Sequence, residues 1–317
     1  MRTHNHLEIK KLCEQSIAPL MNKYNLGKIR NIEMDTEGWV NPCFFVNKSF
    51  VFRFNARDPS LPKYQREFFV FNLLKNSNVP VPKTVYLDDS KEYIEFDVLI
   101  TEMLPGANIE KDWKNLSIDQ KIKVSKDAGK HLYQLTQYSF DFFGELSLQG
   151  PLPRTTTWAD YIKVKLNFHL NEAKRLNLIE DGIEFRIWKI FEEHLSELLL
   201  VTSSKLVHVD YHLGNLLHQN CKITGVLDFE WAFAGDPLYD FCRWRLPQED
   251  LPNSREAFLN GYNKMEFSTS ELKRMDIYQM IRNIELCIVA KLHFSEMEAG
   301  EYLKIATQQI SKLSISE

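Results

Sequence analysis

Apolar positions along this chain fall into two textures, and the change comes near residue 103. Residues 5–23 place Leu7, Leu12, Ile17 and Leu20 at helical spacing, which predicts an opening helix. From about 29 to 102 the texture is strand-like. Ser49 to Asn55 alternates strictly, with Phe50, Phe52 and Phe54 on one face and Val51, Arg53 and Asn55 on the other. The core belongs on the phenylalanine face, and Arg53 points away from it. Tyr64, Phe68, Phe71 and Leu74 recur about a turn apart, predicting a helix over 61–76 that ends at Val79-Pro-Val-Pro82. Strands near 83–88 and 93–102 follow, and then a break at Met103-Leu-Pro-Gly106. Beyond it the pattern is mainly helical: about 117–137, 157–173, 182–199, 254–264, 270–298 and a last helix to about 313. The exception is 205–229, where short strand-like runs flank polar residues. There is no internal repeat.

These patterns predict an α+β protein with a boundary at 102/103. A small sheet-bearing part spans 1–102 and a larger helical part spans 103–317. The 317 residues are ample for a core without staples. Five cysteines, Cys13, Cys43, Cys221, Cys242 and Cys287, lie far apart with no CxxC, which predicts reduced thiols in a cytoplasmic protein. No apolar run spans a membrane, and the first residues carry no signal-peptide core. The net charge of −4 argues against nucleic-acid binding. Residues 1–103 carry net +1 and the remainder net −5, a balance that suits either a solvated surface or a cationic substrate.

The densest chemistry lies in Leu206-Val-His208-Val-Asp210-Tyr-His212-Leu-Gly-Asn215, followed after a hairpin by Val226-Leu-Asp228-Phe-Glu230. The hairpin returns Asn215 and Asp228 to each other. Asn and Asp oxygens suit Mg²⁺, a hard cation, and Asp210 is then free to meet a substrate hydroxyl. Oxygen ligands for a metal plus a carboxylate that orients the attacking oxygen are what phosphoryl transfer requires. Upstream, Arg53 on its strand and Glu67 on the next helix match the cation and bracing carboxylate that kinases place on the α/β-phosphates. Asp35 to Asn41, with one glycine at Gly38, forms a weak phosphate-loop signal. Glu102 and Leu104, at the end of the last strand, offer backbone groups to an adenine edge. His208, Asp210 and His212 also suggest a second chemistry, a zinc metallohydrolase, although that reading leaves Asn215 and Asp228 unexplained.

Taken together, these motifs resemble the aminoglycoside phosphotransferase family, relatives of choline kinases within the protein-kinase-like fold. His208-x-Asp210-x-x-x-x-Asn215 resembles its catalytic loop, Asp228-Phe-Glu230 its metal-binding motif, and Gly235-Asp-Pro-Leu-Tyr-Asp240 the segment that follows. Gly38-x-x-Asn41 and the Val51 to Phe54 strand resemble its nucleotide loop and phosphate-contacting strand. The resemblance implies two lobes, a small antiparallel-sheet lobe and a larger helical one, with the nucleotide between them. It implies ATP or GTP and Mg²⁺, Asp210 as catalytic base, Asn215 and Asp228 on the metal, and Arg53, Glu67, Gly38, Asn41, Glu102 and Leu104 around the nucleotide. The acceptor it favours is an aminoglycoside hydroxyl, which would make the protein an antibiotic-resistance kinase, a monomer or dimer in the cytoplasm. A metabolite kinase of choline, homoserine, methylthioribose or macrolide type is the alternative, and a silent nucleotide-binding module is a more remote one. Two departures stand out. The strand cation is Arg rather than Lys, and Val209 stands where many relatives have Gly. His208 is expected to brace the loop, Asp236 and Asp240 to cap a helix and tie the loop down, and Glu230 to lie beside the metal or at the surface.

Overall fold

The computed structural model describes residues 6–35, 41–242, 244, 253–294 and 296–314. The chain forms two compact units. The first comprises Met1–Ala128, Leu146–Pro151 and Leu213–Ala232, and the second Gly129–Glu145, Leu152–His212 and Phe233–Glu317. The units therefore interleave in sequence instead of meeting at 102/103. The reason is pairing: the hairpin strands Leu216–Gln219 and Lys222–Val226 join the short strand Ala107–Asn108, and the Val226 amide donates to the Pro80 carbonyl at 2.7 Å.

The first unit is built on a five-stranded antiparallel sheet. Its order is Ile32–Met34, Cys43–Val46, Phe50–Phe54, Val98–Glu102, Thr84–Asp88. The alternation read from Ser49 to Asn55 is reproduced. Phe52 and Phe54 are fully buried with Phe44, Val46, Val98 and Ile100, and the helix His6–Lys23 covers them with Cys13, Ile17, Leu20 and Met21. Arg53 faces the other way, opposite Cys43 on one neighbouring strand and Leu99 on the other. The helix Lys63–Leu74 carries Tyr64, Val70, Phe71 and Leu74 to the interior. The strand expected over 93–102 is shorter, Val98–Glu102, because turn and bend residues occupy the stretch before it.

The second unit is mainly helical around a four-stranded sheet of very short strands, ordered Ser139–Phe140, Ser204–Val207, Phe233–Gly235, Gly144–Glu145. These strands are too short for a period-2 pattern to register in the sequence. Trp158 is fully buried against Tyr161, Phe233 and Tyr278, and its indole donates to the Tyr278 hydroxyl at 2.7 Å. The helices expected over 270–298 and on to about 313 are Thr269–His293 and Glu296–Ser314, with the break a few residues earlier than expected. Ser268 and Glu271 form a capping box at the start of the first. Among the described residues the five cysteines are free, and no helix is long and apolar enough to cross a membrane.

The glycine of Gly235-Asp-Pro has a packing reason. A Cβ there would sit 2.4 Å from the Trp158 ring and 2.7 Å from the Phe233 ring. Gly182, in the helix Asp181–Glu193, has open space around it. Gly235→Ala is therefore expected to lower unfolding free energy by about 1–3 kcal/mol through overpacking. Gly182→Ala is expected to raise it by up to about 1 kcal/mol through helix propensity. Urea unfolding midpoints of the two variants check the contrast.

Candidate functional site

Each unit assembles one polar cluster from residues that the motifs single out. In the first, Arg53 is the hub. Its Nη1 donates to Glu67 Oε2 at 2.5 Å and its Nη2 to Asp228 Oδ1 at 3.3 Å, while Glu230 Oε2 lies 3.7 Å away. The guanidinium stands over the Tyr64 ring, 5.2 Å from its centroid. Burial works against its charge, but Glu67, Tyr64, Asp228 and Glu230 hold it firmly cationic. Glu67 is fully buried, and its second oxygen accepts the Phe229 amide at 3.3 Å. Burial raises the Glu67 carboxyl above the usual range, and Arg53 pulls it back. The expected pairing of strand cation and helix carboxylate is thus present, and both reach the Asp228 loop.

The hairpin brings Asn215 and Asp228 to neighbouring positions. Leu216 pairs with Val226, and the Leu227 amide donates to the Asn215 carbonyl at 2.9 Å. Asp228 holds a left-handed backbone, φ +67°, a conformation Asp tolerates better than most residues. Its side chain is 30% exposed. Two oxygen donors from adjoining backbone, one a partly exposed carboxylate already facing a cation, fit a hard divalent ion. Among the described residues no three His, Cys, Asp or Glu side chains gather as a metal site of the kind the zinc reading needs.

Two cations that motif reasoning passes over complete this cluster. Lys63, 1% exposed, pairs with Asp58 at 2.8 Å and Glu230 at 3.5 Å and lies over the Trp231 ring. Arg66 donates to the Glu230 carbonyl at 2.5 Å. Their signal was present in the sequence: Lys63, Arg66 and Glu67 share one face of a helix by i, i+3, i+4 spacing. Burial and the Asp228 charge push Glu230 up to about 7 against Lys63 and Arg53. Glu230 is buried, so its surface reading is corrected.

The remaining nucleotide candidates also belong to the first unit. Asn41 Oδ1 accepts the Arg57 amide at 3.0 Å, tying the residue before the Cys43–Val46 strand to the segment after the Phe50–Phe54 strand. The amides of Glu102 and Met103 donate to the carbonyls of Lys83 and Ser49, at 2.9 and 2.8 Å, so an adenine-edge donor from this segment falls to Leu104, past the ladder. The Glu102 side chain pairs with Lys83 at 2.7 Å. Gly38 lies outside the described residues, as does Trp39.

The second cluster surrounds Asp210. Asp240, buried, accepts the amides of His208 at 3.1 Å and Val209 at 2.6 Å. It thereby ties down the residues just before Asp210. Burial pushes Asp240 up to about 7, against the pull of those two amides. His208 is fully buried and its Nδ1 accepts the Asp210 amide at 3.3 Å, a bracing contact. Val209 has φ +75°, a strained conformation for a β-branched residue. That backbone explains why glycine suits this position. Asp236 accepts the Leu238 amide and the Tyr278 hydroxyl and forms an ion pair with Arg274 at 3.0 Å. Asp210 itself pairs through Oδ1 with Arg282 at 3.2 Å, and His212 Nε2 lies 3.4 Å from its Oδ2. Arg282 also binds Glu285 at 2.9 Å. Neither was singled out in the sequence, though two opposite charges three residues apart inside an apolar helix are a legible signal.

With the geometry in hand, residues 31–277 match the Phosphotransferase enzyme family. The mouse protein "Acyl-CoA dehydrogenase family member 10" is 25% identical over 244 residues, 72% of this chain, and the chain spans only 21% of that protein's length. Among solved structures, a putative fructosamine-3-kinase from Haemophilus somnus 129PT superimposes with a TM-score of 0.72 at 18% identity, covering 96% of this chain and 99% of that one. A thermostable mutant of aminoglycoside phosphotransferase APH(4)-Ia, in a ternary complex with AMP-PNP and hygromycin B, gives 0.69 at 17% identity and covers 95% and 99%.

Two tests follow from the Asp210 cluster. Asp240→Asn retains one acceptor oxygen for two amides, so unfolding free energy is expected to fall by about 1–3 kcal/mol, read by urea denaturation. The second concerns His169, buried near Lys165, Glu285 and Arg282. Burial and the two cations lower it to about 3, against Glu285. The unfolded histidine titrates near 6.5. Between these values the unfolded chain binds the extra proton, so stability rises with pH across the window and is lost on acidification. Going from pH 7 to pH 5 should cost about 1–2 kcal/mol through this group, and His169→Gln should remove that part of the loss.

Proposed function

Because this chain belongs to the phosphotransferase enzyme family, we propose that it is a small-molecule kinase, moving the γ-phosphoryl group of ATP or GTP to a hydroxyl. The observation that supports this best is the Arg53 hub, where a strand cation, a helix carboxylate and the Asp228 loop carboxylate form one ion cluster. In this reading Arg53, fixed by Glu67, contacts the nucleotide phosphates, with Asn41 in the nucleotide loop and Glu102 and Leu104 beside the base. Asn215 and Asp228 would hold Mg²⁺. When bound, the ion neutralises charge on the phosphate oxygens. Asp210 accepts the hydrogen bond of the acceptor hydroxyl. The hydroxyl oxygen bonds to the γ-phosphorus as the bond to the β-phosphate oxygen breaks, the nucleoside diphosphate leaves, and the proton passes to Asp210 and on to solvent. Arg282 on one oxygen of Asp210 orients it. Catalysis here is positioning and electrostatics.

The acceptor divides this reading. An aminoglycoside is supported by the likeness to APH(4)-Ia, whose structure holds hygromycin B, and by the net −5 of residues 104–317. A metabolite kinase is favoured by one specific observation: beside the partly buried Asp210, the buried charges include two cations, Arg282 and Lys165, against one carboxylate, Glu285.

Nucleoside diphosphate release should be measured across aminoglycosides, macrolides, amino alcohols and hydroxycarboxylates. Asp210→Ala is expected to reduce kcat by about 10²-fold or more with the nucleotide Kd little changed, while Arg53→Ala raises that Kd at least about tenfold. Near-native turnover in Asp210→Ala would overturn the assignment.

A further inference from the structure

The helix Thr269–His293 buries charge where its neighbours are apolar. Ile281, Ile284 and Ile288 line its interior face, yet Arg282 and Glu285 lie among them, each 8% exposed or less. Arg282 uses Nη2 on Asp210 and Nη1 on Glu285, and its Nε–H, equally buried, has no partner. The helix Trp158–Arg175 brings Lys165 and His169, a turn apart and equally buried, into the same electrostatic neighbourhood: both act on Glu285. His169 Nε2 has no hydrogen-bond partner. Tyr239, fully buried and within the fields of Arg282 and Glu285, has an unpartnered hydroxyl. The Lys165 ammonium stands 5.9 and 6.0 Å from the ring centroids of Phe233 and Tyr239. No carboxylate among the described residues comes within ion-pair distance of it.

Buried polar atoms are nearly always satisfied, and three orphans beside an ammonium with no carboxylate partner among the described residues mark a place that a bound group completes. The character of the unused groups sets the chemistry. Both carboxylates, Asp210 and Glu285, are already held by Arg282. What is left over is donors: the Arg282 Nε–H, the Lys165 ammonium, the Tyr239 hydroxyl and a neutral imidazole able to donate from Nε2. A polycationic sugar would bring donors to donors and cations to cations. An oxyanion meets all four.

We infer that Lys165, His169, Tyr239 and Arg282 form the recognition site for a carboxylate carried by the acceptor, so that the substrate is a compact hydroxycarboxylate whose hydroxyl reaches Asp210. This rests on the reading of Asp210 as the group that meets the acceptor. Arg282 links the two ends: the same guanidinium that orients Asp210 presents Nε–H to the carboxylate. The distance from hydroxyl to carboxylate is then a few bonds.

The test uses the whole chain and two readouts. Calorimetry on the wild type, without nucleotide, compares short straight-chain hydroxycarboxylates with their methyl esters and with kanamycin. The acids are expected to bind at least tenfold more tightly than either. Where turnover is measured, Lys165→Met should lower the acid-to-ester ratio of kcat/KM by about tenfold to a hundredfold, the range of one charged hydrogen bond, and Lys165→Arg should restore part of it. Should Lys165→Met not fold, Tyr239→Phe removes only the orphan hydroxyl. It is expected to hold or raise Tm while weakening acid binding several-fold, a combination a purely structural hydroxyl would not give. Acids that bind no better than esters, an unchanged ratio in Lys165→Met, or preferential binding of kanamycin would overturn the inference. Acid binding without turnover of any acceptor would leave the carboxylate site standing and overturn the placing of an acceptor hydroxyl at Asp210.

Discussion

A fully buried carboxylate with two partners holds the first unit's chemistry in register. Glu67 receives the Arg53 guanidinium on one oxygen and the Phe229 amide on the other. Three segments distant in sequence are therefore fixed to one side chain: the Phe50–Phe54 strand, the Lys63–Leu74 helix and the loop after the hairpin. Taking such a charge out of water costs several kcal/mol unless its partners are well placed. The arrangement is consequently all or nothing, since a displaced strand or loop would leave a bare charge in the interior. Arg suits this hub better than Lys, because its fork reaches Glu67 and Asp228 at once.

In the second unit Asp240 does the same with backbone amides rather than a guanidinium. It sets the conformation of His208 and Val209, and through them the direction from which Asp210 leaves the chain. Gly235 and Trp158 fix where Asp240 begins, since the close approach of backbone to indole allows only one placement of the short Gly-Asp-Pro turn. Family membership across residues 31–277 at low identity to solved relatives is understandable on these grounds. A few close contacts define the frame, and most surface positions are at liberty to change.

Much of this was legible in the sequence, and the part that was not has a physical reason. The alternation from Ser49 to Asn55 revealed both a core face and the outward Arg53, because period 2 admits one arrangement. The spacing of Asp210, Asn215 and Asp228 revealed a hairpin, because the intervening strands are short and joined by a tight turn. The unit boundaries were not legible. They depend on Leu216–Gln219 joining the two-residue strand Ala107–Asn108, a pairing with no periodic signature. The two C-terminal helices were legible, but their break fell a few residues early because amphipathic texture continues across it. Lys63, Lys165 and Arg282 were passed over because charged residues on helices are ordinarily solvated, and only tertiary packing turns them inward.

Val209 and Asp228 both hold backbone in the left-handed region, where an unfolded chain of L-residues seldom dwells. Neither conformation can be nucleated locally. Each is imposed from outside, one by the Asp240 carboxylate and the other by the ion cluster at Arg53. The two loops accordingly take shape only after the scaffold around them has formed. A nascent or partly opened chain would thus lack both loop conformations while already possessing most of its sheets and helices.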